Sequence, residues 1–135
     1  MRIVVDASVA LKWVLNEPDK DAADALMLEE LFAPDLLRIE AANALWAFQR
    51  RGGMTADEVQ DRLALLVASP VRFSSQSQDV DQALSIACRL NHPVYDCVYL
   101  ALAIRERAIV VTADKRFLTA VAAAPDLFGF VRPLT

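Results

Sequence analysis

The stretch His92-Pro93-Val94-Tyr95-Asp96-Cys97-Val98-Tyr99-Leu100-Ala101-Leu102-Ala103-Ile104-Arg105-Glu106-Arg107-Ala108-Ile109-Val110-Val111-Thr112-Ala113-Asp114-Lys115-Arg116-Phe117 decides the fold. From Val94 to Ile104 it is apolar on nearly every face, the pattern of a helix buried in a larger body. Arg105-Glu106-Arg107 reads as the solvated end of that helix. Ala108 to Val111 is short and β-branched, which predicts a strand covered on both faces. Asp96 falls in the first turn of the helix, and Asp114 lies just past the carboxyl end of the strand. A carboxylate among apolar neighbours is costly unless its charge is compensated. These two acids therefore require a partner.

Working outward, residues 2–5 form an apolar strand that ends at Asp6. Ser8 reads as the N-cap of a helix from Val9 to Leu15, which Pro18 and Asp19 close. Asp21 to Leu31 is helical in pattern, and Phe32-Ala33 is at most a very short strand because Pro34 follows. Asp35 to Arg51 is a strong helix with Leu37, Ala41, Ala44, Leu45 and Phe48 on one stripe. Glu40 lies against that stripe, with Asn43 one turn on. Gly52-Gly53 ends this helix and Thr55 caps the next. Its inward residues are Val59, Leu63, Leu66 and Val67, and Pro70 stops it. Val71 to Phe73 is a third strand. Val80, Ala83, Leu84, Ala87 and Leu90 mark another amphipathic helix. A short helix runs to Ala124, and Leu127 to Val131 is the last strand. Strands alternating with helices predict a three-layer α/β/α sandwich around a mostly parallel sheet, in one domain over residues 1–135. Ligands in such sheets bind at the carboxyl ends of the strands. Asp6 and Asp114 occupy two such ends.

The 135 residues carry a net charge of −4 and are 56% apolar. That apolar share is high for a soluble domain, so much of the chain is core or interface. No apolar run approaches the ~18 residues of a membrane span. Asp6 follows Met1 too closely for a signal peptide, and a cytoplasmic protein is expected. Cys88 and Cys97 both fall in apolar helical patterns and read as reduced core residues. The acidic balance argues mildly against nucleic-acid binding, unless the acids are gathered around a cation.

Four acids adjoin apolar sequence: Asp6, Glu40, Asp96 and Asp114. Each has a plain structural reading. Asp6 can start a turn, Asp96 can serve the helix dipole, Asp114 can cap the next helix, and Glu40 can turn to solvent. If all four converge, two unit charges about 4 Å apart repel by roughly 4 kcal/mol at an effective dielectric of 20. A cluster of that kind needs shared protons or a bound cation. Oxygen donors favour Mg²⁺ or Mn²⁺ over zinc. His92, the single histidine, reads as a surface turn residue, which leaves no histidine-based zinc site. There is no strained nucleophile motif and no Gly-rich phosphate loop.

Val4-Val5-Asp6-Ala7-Ser8, Glu40-Ala41-Ala42-Asn43-Ala44-Leu45, Tyr95-Asp96-Cys97-Val98-Tyr99-Leu100-Ala101-Leu102-Ala103 and Thr112-Ala113-Asp114-Lys115-Arg116-Phe117 resemble, in order, the motifs of PIN-domain proteins. The likeness is strongest to VapC-type toxins of bacterial toxin–antitoxin pairs. It implies a Mg²⁺-dependent endoribonuclease, with Mn²⁺ as a substitute. It also implies a homodimer, and a cognate antitoxin whose C-terminal segment occludes the site. Carried over by position, the metal-binding and catalytic acids are Asp6, Glu40, Asp96 and Asp114. Ser8, Asn43 and Thr112 are supporting or substrate-orienting groups, and Lys115 or Arg116 is a phosphate contact. Some relatives carry a further acid after the last aspartate. Here Lys115, Arg116 and Phe117 occupy that stretch, which weighs against a second tightly held metal.

Two other classes compete with this reading. A catalytically silent PIN-like module would bind RNA or protein without cutting, and the four intact acids argue against it. A phosphatase or phosphotransfer domain would want a second acid two residues after Asp6, where Ser8 stands. Large apolar residues on the helices Val9–Leu15 and Asp35–Arg51, Trp13 and Trp46 above all, predict a partner-binding face. An arginine from that partner would fork onto the acids in the metal's absence.

Overall fold

Strand β1 (Arg2–Val5) leads into helices α1 (Ala7–Val14) and α2 (Lys20–Ala25), a 3-10 turn (Leu26–Leu28) and strand β2 (Glu30–Pro34). Helices α3 (Leu36–Arg50) and α4 (Ala56–Val67) then lead to β3 (Arg72–Ser74). Helices α5 (Val80–Leu90) and α6 (Val94–Glu106) return the chain to β4 (Ile109–Thr112), and α7 (Lys115–Ala122) and α8 (Pro125–Phe128) end at β5 (Val131–Pro133). These elements come from a computed structural model that describes every residue from Met1 to Thr135.

The sheet order is β3-β2-β1-β4-β5, and every pairing is parallel. Val4 stands opposite Phe32 on one side and Val110 on the other. The predicted sandwich is therefore correct, with a sheet that is wholly parallel. From β1 the chain builds outward in one direction through β2 and β3, then crosses back to add β4 and β5. Right-handed crossovers running in opposite directions lay their helices on opposite faces. Accordingly α1, α3 and α4 pack on one another, while α6 runs against β1, β2 and β4 with α5 packed on it.

Coverage on both faces explains the sequence of the central strands. Ile3, Val4, Val5 and Val110 are fully buried, and α6 is buried without a break from Cys97 to Ala103. Each large aliphatic side chain there contributes roughly 1.5–3 kcal/mol by leaving water. Polar groups hold the ends of this core. Asp79, only 3% exposed, takes a forked pair of bonds from Arg105, Nε to Oδ1 at 2.9 Å and Nη2 to Oδ2 at 3.0 Å. That pair ties the start of α5 to the end of α6, so Arg105 is not the freely solvated residue its charge run predicts.

Several local expectations need correction. The Asp21–Leu31 segment is a two-part turn of helix that stops at Leu28, because the chain then enters β2. Pro34 does not prevent that strand: it ends it, and the next amide, Asp35, makes the bond to Ser74. Leu127 belongs to α8, and the last strand begins at Val131. On α5 the buried residues are Ala83 and Ile86, whereas Val80 and Leu84 face outward. Cys88 is exposed, so only Cys97 is a core thiol. Burial pushes Cys97 up to about 11, helped by the Asp96 charge beside it. Thr55 caps α4 as expected, in a reciprocal box with Glu58. Gly52 adopts a φ of 82°, the left-handed region that lets the chain leave α3 without a Cβ penalty.

Candidate active site

Asp6 is the deepest of the four candidate acids, and it stands where β1 becomes α1. Its Oδ1 accepts from the Val9 amide at 3.1 Å, which makes Asp6 the N-cap of α1 in place of Ser8. Both residue types cap well; Asp6 prevails because the helix begins one residue later, at Ala7. Ser8 turns back instead, donating its hydroxyl to Asp6 Oδ1 at 2.6 Å and accepting from the Ala113 amide at 3.0 Å. Thr112, fully buried at the end of β4, donates to Asp6 Oδ2 and accepts from the Asp114 amide. Ser8 and Thr112 thus lock the end of β1 to the end of β4. Burial raises the Asp6 carboxyl to about 6; the Ser8, Thr112 and Val9 bonds pull it down, and the charge of Asp96 pushes it up.

Glu40 arrives from the second turn of α3 and is fixed by Tyr99 of α6, whose hydroxyl donates to Oε1. Burial raises the Glu40 carboxyl, the Tyr99 bond lowers it, and the charge of Asp96 raises it again. Asp96 is therefore felt by both Asp6 and Glu40, and these three acids form one electrostatic group. None of them is paired with a lysine or arginine, and the side chain that meets Asp96 is His92, Nε2 to Oδ2 at 2.6 Å. His92 is not a surface turn residue: its side chain is 12% exposed and its ring lies 5.4 Å from that of Phe117.

Asp114 is placed differently. Its Oδ1 accepts from the Arg116 and Phe117 amides, so the carboxylate caps α7, the plain structural role. Asp114 reaches the group through its backbone, by way of Thr112 and Asp6. As the side chains stand, no three of histidine, cysteine, aspartate or glutamate are close enough to form a ready metal centre. The donor chemistry still suits a hard divalent ion: all-oxygen, buried in part, and without a compensating cation. Asn43 is exposed on α3, and together with Leu36, Ile39, Glu40 and Tyr95 it lines a shallow pocket beside the acids. Lys115 and Arg116 are exposed at the start of α7.

Two contributors escaped the sequence reading. Tyr99 carries a hydroxyl on a helix that is otherwise apolar, and a buried hydroxyl implies a partner. His92 lies four residues before Asp96, the spacing of neighbours on a helix. Trp13, by contrast, leaves the expected partner face: it is buried and its indole donates to the Ala23 carbonyl at 2.8 Å. Trp46 remains 53% exposed, over a groove between α3 and α4 lined by Leu45, Val59 and Leu63. No helix is long and apolar enough to cross a membrane.

The PIN domain family matches residues 3–123. Ribonuclease VapC3 of Pyrobaculum aerophilum is 32% identical over 120 residues, spanning 86% of this chain and 92% of that one. PAE2754 from the same organism has a similar crystal structure, with a TM-score of 0.76 at 20% identity over 99% of this chain and 90% of the other. A toxin–antitoxin complex from Klebsiella pneumoniae contains a chain that aligns over 98% of each partner, with a TM-score of 0.66 at 15% identity. The two structural likenesses carry the fold; the sequence identity carries the kinship.

Proposed function

Because this chain belongs to the PIN-domain family, we propose that it is a Mg²⁺-dependent endoribonuclease, the toxin of a VapBC-type toxin–antitoxin pair. The observation that carries the reading is the group of Asp6, Glu40 and Asp96. Burial and then the charge of Asp96 raise the carboxyls of Asp6 and Glu40, and none of the three has a lysine or arginine partner. The kinship with a protein named a ribonuclease supports the same reaction class.

In this reading Asp6, Glu40, Asp96 and Asp114 would hold a divalent ion, which would supply charge stabilisation for phosphodiester hydrolysis. The chain's own work is orientation. Ser8 and Thr112 fix both oxygens of Asp6. Tyr99 fixes Glu40 from inside the core. Asp114 keeps Oδ1 on the α7 amides, which fixes its carboxylate at the start of that helix. Asn43 orients substrate from the open side, and Lys115 or Arg116 takes a flanking phosphate.

The partner reading follows from the same kinship. A cognate antitoxin lays a helical segment in the groove beneath Trp46 and brings an arginine to the acids, in competition with Mg²⁺. A homodimer in the cytoplasm completes the proposal. The test is incubation with total RNA, with Mg²⁺ and with excess chelator, followed by mapping of the cut ends. Cleavage should require Mg²⁺ or Mn²⁺. Cleavage that continues in chelator rejects the mechanism, and RNA that is bound but uncut returns the silent-module reading.

A further inference from the structure

His92 sits outside α6, yet its position is tightly determined. Asn91 ends α5 in the left-handed region, with φ 50°, and Pro93 sets the entry to α6. The ring is thereby turned inward, tilted by 33° against Phe117, with Nε2 at 2.6 Å from Asp96 Oδ2. An ionised carboxylate only accepts hydrogen bonds, so Nε2 carries the hydrogen and donates. That bond engages one oxygen of Asp96 and leaves Oδ1 free of protein donors. The amide of Phe117, in turn, donates to Asp114 Oδ1 at 3.3 Å. One ring therefore bonds the Asp96 carboxylate and packs, tilted, against Phe117, whose amide helps hold Asp114.

We infer that His92 is a positioning residue that fixes the orientation of Asp96 for a divalent ion and couples it to the α7 end carrying Asp114. The inference rests on the nuclease reading above. Its physical basis is that a carboxylate with a single fixed donor keeps few side-chain rotamers, whereas a free one must be ordered when the ion arrives. Donors behind metal-binding carboxylates typically change metal affinity about 10–100-fold when removed.

The roles of the bond and of the ring separate in two variants. His92→Gln keeps an N–H donor near the Nε2 position and loses the stack. His92→Phe keeps the stack on Phe117 and loses the donor. The probe is Mn²⁺, titrated against each full-length protein and read from the electron paramagnetic resonance signal of the free ion, with circular dichroism to verify folding. We expect His92→Phe to bind Mn²⁺ about 10–100-fold more weakly than the parent, and His92→Gln to retain most of the parent affinity. His92→Phe binding as tightly as the parent, or His92→Gln falling as far as His92→Phe, overturns the positioning role. A parent protein that does not bind Mn²⁺ overturns the metal site itself, and with it this inference.

Discussion

Tyr99 donates its hydroxyl to Glu40 Oε1 at 2.5 Å, a bond between α6 and α3 that spans 59 positions of the chain. Tyr99 is 1% exposed, so its hydroxyl has no water to fall back on. Burial, followed by the charge of Glu40, raises the phenol far above its ordinary range, which keeps it a donor at every working pH. Tyr99→Phe should destabilise the protein by about 1.5–3 kcal/mol, the worth of a bond to a charged acceptor. It should also raise the Glu40 carboxyl further, because that bond now pulls it down. Urea denaturation at fixed pH checks the first expectation, and carboxyl titration by NMR checks the second.

The Asp6 carboxyl provides a pH signature in metal-free protein. Its folded value of about 6 lies above the ordinary 3.8, so the fold prefers the protonated acid. The stability from this group is complete below the unfolded value and is lost as pH rises through about 6. A shift of about two units corresponds to on the order of 3 kcal/mol between pH 4 and pH 8. The difference in unfolding free energy between the parent and Asp6→Asn should therefore change with that slope across that interval. A flat difference would mean that Asp6 is solvated well enough to ionise freely.

Asp96→Asn removes a charge that Asp6 and Glu40 both feel. Metal-free stability should be unchanged or higher, since repulsion falls. RNA cleavage and Mn²⁺ binding should be lost. A helix-dipole role alone would cost about 0.3–1 kcal/mol and spare cleavage. Thermal melts and cleavage assays on this one variant separate the two.

The Asp79–Arg105 pair should respond asymmetrically. Arg105→Ala strands a carboxylate that is 3% exposed, at a cost of about 3–5 kcal/mol. Asp79→Ala frees a guanidinium that is already 30% exposed and can reach water or Glu106, so its cost should be smaller, about 1–3 kcal/mol. Denaturant midpoints of the two variants give the order directly.

How far the chain can be read without coordinates depends on the range of the interaction. The apolar run at residues 2–5, the β-branched run at Ala108–Val111 and the cap at Thr55 are local signals, and strands at Arg2–Val5 and Ile109–Thr112 and a helix from Ala56 answer them. Acids at strand ends were legible because a parallel sheet directs its ligands there. Pro34 misled because a proline is harmless at the last position of a strand, a fact set by the register with Ser74 and not by the residues around it. Trp13 reads as surplus apolar surface until α2 covers it and the Ala23 carbonyl meets its indole. His92 looks dispensable in a turn until Phe117, 25 positions away in α7, closes over its ring. Local chemistry announced the acids; their supports come from elements that meet only in the finished fold.

The place of β4 between β1 and β5 has a consequence for synthesis. Thr112 reaches Asp6 across 106 positions, so the first acid to leave the ribosome waits for nearly the last strand before its second oxygen is engaged. A nascent chain that stops before Ile109 has β1, Asp6, Glu40 and Asp96 but neither the β4 neighbour nor the bonds that Thr112 and Ala113 make to Asp6 and Ser8. Contacts of such long separation also slow folding, because the loop must be closed before they form. The fold thus acts as a delay: no partial product of translation that lacks β4 can fix both oxygens of Asp6, and the fully held carboxylate arises only after the chain is almost complete.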